Sequence, residues 1–350
     1  MLTRMAVMML ALAAGAAAQQ IENAKVERAS AAAGLEKAVA DIAAKNAVAW
    51  IAYNVPAVDD SGVICCGGSF DGGRNGCCGT CKLEGGNTFI NHGDMECAGQ
   101  AESDTIAVFL RAAQGRVEKV RAFTPNCAVD GGGTIVYTLE AVKPEESVAL
   151  LRSLATRSPA EERKLASGAV MAIAMHAGAA ADQALAALIT SENRKLRKDA
   201  AFWAGTQRGD AGYAMLKSAI SREQDSDVRK EFVFPLAQSK AAAALDELIR
   251  VARRDGSSSV RGEAIFWLGQ KASRKASEAI TEAIENDPET QVKKKAVFAL
   301  SNLPNDEGVP LLIKLARTHA NPVVRKQAIF WLGQSQDPRA LQFFEEVLKN

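Results

Sequence analysis

The sequence predicts a mainly α protein in two parts, a C-terminal α-solenoid of stacked helix pairs preceded by a small Cys/Gly-rich β domain. Three observations carry this. A 32-residue pattern recurs from Leu196 toward the C-terminus, all seven cysteines fall between Cys65 and Cys127, and β-type runs flank Gln114-Gly115. The bulk composition excludes other classes. Hydrophobic residues at 48% and charged residues at 24% belong to a folded chain, not a disordered one. With 42 Lys+Arg against 41 Asp+Glu, the net charge of +1 excludes a generally basic nucleic-acid binder.

The elements follow in order. Residues 1–18 read as a signal peptide, with Arg4 ahead of an apolar run and Ala16-Ala17-Ala18 before Gln19. That run is too short to span a membrane and no later stretch qualifies, so the expectation is an exported protein, periplasmic or secreted, without a transmembrane segment. Residues 19–46 read as an Ala-rich helix or linker. Residues 47–142 form the β domain. Its expected strands are Ala47 to Val55, Thr105 to Ala113, Arg116 to Phe123 and Thr134 to Leu139. Pro144 opens the helical solenoid, 144–350.

The solenoid rests on one alignment. Leu196, Val228, Val260, Val292 and Val324 stand 32 residues apart. Each is followed by a base: Arg197, Arg229, Arg261, Lys293 and Arg325. Six residues after the first position come Phe202, Phe234, Phe266, Phe298 and Phe330. Ten or eleven residues after it come Gln207, Gln238, Gln270, Asn302 and Gln334. An earlier, degenerate copy spans Leu165 to Ala174. Between these blocks lie second amphipathic segments, such as Leu245, Leu248, Ile249 and Ala252, whose spacing puts them on one helix face. One helix pair cannot bury its apolar face alone, so the pairs must stack, with Pro338 to Leu348 as the closing helix.

The block Val260-Arg261…Ala264…Leu268-Gly269, matched by Val324-Arg325…Ala328…Leu332-Gly333, resembles the short bacterial HEAT repeats, also called PBS-lyase HEAT-like repeats. The resemblance covers about residues 144–350. It implies an α-solenoid acting as a protein-interaction surface and does not imply an enzyme. Signal segment, Cys-containing domain and repeats together resemble exported bacterial HEAT-repeat proteins.

The repeat also supplies the candidate site. At about 100° per residue the Val, Ala and Leu positions lie at about 0°, 40° and 80° and define a buried arc; the Phe lies at about 240°, nearly opposite. Phe202, Phe234, Phe266, Phe298 and Phe330 then form either an exposed apolar stripe on a concave face, open to a protein or peptide partner, or core between neighbouring helices together with Trp203, Trp267 and Trp331. Gln207, Gln238, Gln270 and Gln334 would hydrogen-bond a partner backbone or bridge helix ends. The basic positions would form helix-linking ion pairs, with Asp225, Asp227 and Asp287 nearby, or an anion-binding groove.

Cys65, Cys66, Cys77, Cys78, Cys81, Cys97 and Cys127 read as structural disulfides in an exported protein, with one cysteine left over. Cys78 and Cys81 make half of a zinc signature whose second half is absent, so neither a metal nor a cofactor is expected. Asp71 to Lys82 lacks the oxygen ligands of a calcium loop. No phosphate loop, zinc-protease motif or nucleophile elbow occurs, and with only three histidines no catalytic residues are assigned. The expected function is therefore a non-enzymatic, exported interaction scaffold. The alternatives are a bilin-lyase-like enzyme, as some members of the resembled group are, or a thiol or metal function of the Cys-rich domain.

Overall fold

The computed structural model describes residues 20–59, 63–65, 81–84, 89–91, 103–125, 127–157, 163–271, 273–303 and 308–349. The signal-peptide expectation over 1–18 lies outside them. The chain divides into two compact units, 1–150 and 151–350.

The first unit holds β1 (Ile21–Glu22), β2 (Lys25–Ser30), α1 (Leu35–Lys45), β3 (Val48–Pro56), β4 (Val63–Cys65), β5 (Cys81–Lys82), β6 (Phe89–Asn91), β7 (Thr105–Ala113), β8 (Arg116–Phe123), β9 (Val129–Asp130) and β10 (Ile135–Glu140). Its main sheet has the order β2-β10-β3-β7-β8, flanked by small sheets β1-β9-β5 and β4-β6. β2 and β3 both run parallel to β10, so the β2–α1–β3 crossover leaves a gap that β10 fills. β3 is buried on both faces, which explains its nearly unbroken apolar run. Trp50 and Ala52 join Phe109, Phe123 and Val136 beneath Leu83 and Val129 of the small sheet. The alternate side chains meet α1, which buries Leu35, Val39 and Ile42. The β7–β8 hairpin turns through Gln114 at φ 54° and Gly115 at φ 76°, the two left-handed residues of a type I′ turn.

Residues 19–46 are not the single Ala-rich helix or linker expected. Only Leu35–Lys45 is helical, while Lys25–Ser30 is a sheet-edge strand with β10 as its one neighbour. Propensity was overridden by tertiary pairing, and the half-buried alternation of Lys25–Ser30 is the trace it left.

The helical part begins with α2 (Pro144–Arg157), which the unit division crosses. Then come α3 (Arg163–Met175), α4 (Ala179–Ile189), α5 (Arg194–Gln207), α6 (Gly209–Arg222), α7 (Ser226–Glu231), α8 (Val233–Gln238), α9 (Ala244–Arg254), α10 (Ser258–Leu268), α11 (Arg274–Asn286), α12 (Thr290–Ser301), α13 (Gly308–Thr318), α14 (Pro322–Leu332) and α15 (Pro338–Lys349). They stack as HEAT-like helix pairs. The first helices form one row, α3, α5, α7–α8, α10, α12 and α14; the second helices form the other. The predicted arc is the buried one. Val260, Ala264 and Leu268 are fully buried, as are Val324, Ala328 and Leu332 and their counterparts up the stack.

One repeat deviates. Phe232 occupies the Ala position and is buried, and Pro235 follows three residues later. Proline has no N–H for the Glu231 carbonyl and its ring crowds that carbonyl, so the first helix breaks into α7 and α8. At the end of the stack Ile329 is 42% exposed and Leu341 64%, although their equivalents upstream, such as Ile265, are covered. α15 thus packs as the last second-row helix but does not seal the end as expected.

At the Gly position of two repeats, adjacent first-row helices touch backbone to backbone. A Cβ on Gly205 would stand 2.5 Å from the Pro235 carbonyl oxygen, and one on Gly269 2.8 Å from that of Ala299. Gly205→Ala is expected to cost about 1–3 kcal/mol in urea unfolding through overpacking. Gly256→Ala, which meets nothing within 4 Å, should stay within about 0.5 kcal/mol.

Candidate interaction site

The five phenylalanines lie on one face of the first row and none is fully buried. Phe202 and Phe330 are 37% and 53% exposed, and Phe234, Phe266 and Phe298 are half-buried between them. They form one continuous chain of rings with the tryptophans. Phe202 stacks on Phe234 at 6.0 Å and Phe266 on Phe298 at 6.1 Å. Trp267 bridges Phe234 and Phe266 at 4.7 and 5.1 Å. Trp331 bridges Phe298 and Phe330 at 4.7 and 5.0 Å, and Trp203 closes on Phe202 at 4.9 Å. The two expectations for these rings therefore merge. Each ring gives one side to its neighbours and leaves an edge open.

The bridging tryptophans occur only in alternate repeats, where Pro235 and Ala299 take their place in between. The effective unit is thus two repeats. The near-identity of 264–270 and 328–334, 64 residues apart, was the signal of this in the sequence. Trp267 Nε1 donates to Glu263 at 3.0 Å, four residues upstream. Trp331 Nε1 is buried with no acceptor, and Gln327 stands where Glu263 does. A hollow of about 360 Å³ opens between Phe202 and Phe234, rimmed by Lys198, Lys230, Glu231 and Glu263. Lys198 pairs with Glu231 at 2.7 Å and Lys230 with Glu263 at 3.6 Å, so the charges at this end of the strip neutralise one another.

Gln238, Gln270 and Gln334 are exposed beside the strip. Gln207 is not: it is buried at 4% exposure. It stands eleven rather than ten residues after Leu196, and the extra 100° turns it from the strip into the buried arc. It does not share the surface proposed for the other three.

The basic positions are structural. Arg261 holds Asp287 with Nε at 2.7 Å and Nη2 at 3.0 Å, and donates from Nη1 to the Asp255 carbonyl at 2.9 Å. Arg229 repeats this with Asp255 and the Glu223 carbonyl. Lys293 donates to the Ile284 and Glu285 carbonyls at the end of α11, and Arg325 to the His319 and Ala320 carbonyls just past α13. Each base therefore ties two successive pairs together, and the charge-assisted bond to Asp287 raises the Arg261 pKa. An anion-binding groove would need these guanidiniums for another ligand. Asp225 caps α7, accepting from Asp227 N and Val228 N.

Of the histidines, His319 accepts from Asn321 N through Nδ1, and His92 lies outside the described residues. His176 is fully buried and donates Nδ1–H to the Ala172 carbonyl at 2.7 Å. Arg208 donates to the His176 carbonyl and holds Asp182 at 2.7 and 2.9 Å. Burial pushes the His176 pKa down to about 4, helped by the Arg208 charge and opposed by the Ala172 bond.

In the β unit, Cys81 and Cys127 are both buried and Cys127 is disulfide-bonded. Cys65 ends β4. Cys66, Cys77, Cys78 and Cys97 lie outside the described residues, among which no metal-ligating cluster occurs. Nor is any helix among them long and apolar enough to cross a membrane.

A family model described as HEAT repeats matches residues 277–350. Among solved structures, the chain is similar to human deoxyhypusine hydroxylase in complex with glycerol, at 15% identity over 58% of this chain and 90% of that one, with a TM-score of 0.29. It is similar to the complex of CpcE and CpcF of phycocyanin lyase from Nostoc sp. PCC7120, at 25% identity over 45% of this chain and 99% of that one, with a TM-score of 0.34. A third is an engineered protein at 22% identity, covering 57% of this chain and 58% of that one, with a TM-score of 0.31. A search among curated proteins found no match. The helical part is an α-solenoid of HEAT-like helix pairs.

Two outcomes follow from the buried polar groups. Arg261→Ala leaves Asp287 buried and unpaired, and is expected to cost about 3–5 kcal/mol in chemical unfolding. His176 binds a proton near pH 6.5 when unfolded but only near pH 4 when folded. Its contribution is therefore full above pH 6.5 and falls by about 1.4 kcal/mol per pH unit down to about pH 4. Unfolding free energies from urea titrations between pH 7.5 and 4 should fall more steeply in the wild type than in His176→Asn, by about 1.4 kcal/mol per pH unit.

Proposed function

We propose that the protein is an exported, non-enzymatic interaction scaffold that binds a protein or peptide along the aromatic strip. The carrying observation is the unbroken chain of half-exposed rings from Trp203 to Phe330. Aromatic rings offer large contact area at small entropic cost, because neighbouring rings already fix their rotamers. First-row helices pack against one another over more of their length than second-row helices do, which supports reading the strip as the inner, concave side. Exposed Gln238, Gln270 and Gln334 fit a role in bonding an extended backbone. Export rests on the signal-like segment 1–18 and on the cysteine window, read as a disulfide framework that stiffens the β domain.

Panning a random peptide library on the mature protein and on Phe266→Ser/Phe298→Ser tests the role of the strip. Each half-buried ring lost should cost about 1–2 kcal/mol, less than a fully buried Phe, so circular dichroism should show retained helicity. Peptides selected on the wild type are expected to lose binding to the variant. Selected peptides that bind the folded variant equally well would remove the strip as the site.

A further inference from the structure

The strip is electrically lopsided. Beside Phe202, Phe234 and Phe266, the first-row helices carry Lys195, Lys198 and Lys230 together with Asp199, Asp227, Glu231 and Glu263. These charges are largely paired among themselves: Lys195 with Asp199 at 2.6 Å, Lys198 with Glu231 and Lys230 with Glu263. Past Glu263 the acids stop. The same helical positions on α12 and α14 carry Lys294, Lys295 and Lys326, with Gln291, Val323 and Gln327 in the remaining places. None of these three lysines has an ion-pair partner among the described residues. Lys295 lies across Gly262, where a Cβ would meet its Cδ at 2.7 Å. Its side chain occupies the space over Gly262 that a longer residue at 262 would fill. At these positions on α12 and α14, the Phe298, Trp331 and Phe330 rings are therefore bordered by Lys, Gln and Val, with no carboxylate at them among the described residues.

We propose that the occupant of the strip is an extended peptide segment carrying apolar or aromatic side chains, with carboxylates along the part that covers α12 and α14. This rests on the strip being a binding surface and adds what it selects. Carboxylates on the ligand would complete the Lys–Glu pattern that the first three repeats complete internally, so charge sets both preference and direction. The ligand's acidic end lies toward α14, and its neutral end lies over α5 and α8. A single-stranded nucleic acid also combines stacking rings with negative charge. Its phosphates, however, recur at every nucleotide and would meet Asp199, Asp227, Glu231 and Glu263 over the first half of the strip. A peptide can confine its charge to one end.

The test uses three fluorescein-labelled peptides of about 12 residues, which extended span about 40 Å, or four helices about 10 Å apart. All carry phenylalanine at every third position. The spacers at one end are glutamate, serine or lysine. Fluorescence anisotropy is measured with the full mature chain, with Lys294→Glu/Lys295→Glu/Lys326→Glu, and with Phe266→Ser/Phe298→Ser; oligo-dT is a fourth probe. The glutamate peptide is expected to bind tightest and the lysine peptide weakest. The charge-reversed variant should lose about tenfold or more for the glutamate peptide, as three exposed ion pairs imply, and should favour the lysine peptide. Binding of the three peptides with equal affinity, lost only in the Phe variant, would overturn the charge selection and leave the strip as a site. No binding by any peptide would overturn both. Oligo-dT bound more tightly than the glutamate peptide would overturn the peptide assignment.

Discussion

The approach of successive first-row helices, backbone against backbone at the Gly position, is the constraint on which the rest of the solenoid depends. Gly205 lies against Pro235 and Gly269 against Ala299 with no room for a Cβ. That contact lets Phe202 reach Phe234 and Phe266 reach Phe298 at about 6 Å, a stacking distance for aromatic rings. Wider spacing would separate the rings and leave isolated apolar groups where the fold has a continuous strip. The same closeness brings each helix start within reach of the loop that opens the next repeat, so that Arg229 and Arg261 can grip Asp255 and Asp287 with two bonds each. Two columns on opposite sides of the row follow from one packing distance. The arginine column clamps the stack, and the phenylalanine column is its open face.

The division of labour follows burial. Arg261 and Asp287 keep 9% and 5% of their side chains exposed, so their mutual satisfaction is what makes the buried charges tolerable. The rings, in contrast, are stabilised by one another and still present edges to solvent. Such a surface is stable without a ligand yet incompletely covered. That combination separates a binding strip from a core that happens to lie near the surface.

Much of this was legible in the sequence. Val260, Ala264 and Leu268 repeat every 32 residues because one helix face must meet the next helix, and that period alone marks the buried arc. The hairpin was legible because Gln114-Gly115 sits between two unbroken β runs. Lys25–Ser30 was not legible as a strand. An edge strand with one partner needs only half a hydrophobic face, and its flanking alanines favour helix. Gln207 misled because sequence alignment tolerated a one-residue slip that helix geometry turns into 100°. The strip was legible as a column of phenylalanines but not as a two-repeat pattern. Whether Trp267 joins it depends on contacts between helices, which no single repeat encodes. The lysine border was missed for a related reason. Lys294, Lys295 and Lys326 are ordinary surface residues until the absence of acids around them is seen across neighbouring helices.

Everything proposed for the solenoid requires the aromatic column to be a solvent-reachable surface. Hydroxyl-radical footprinting of the full chain measures this ring by ring, with Trp50, Phe109 and Phe123 as internal controls because they are fully buried. Trp267, Trp331, Phe202 and Phe330 are expected to oxidise faster than those three in the native protein, with all rates converging in urea. Native rates for the strip as slow as that of Trp50 would contradict it and make the column part of the core.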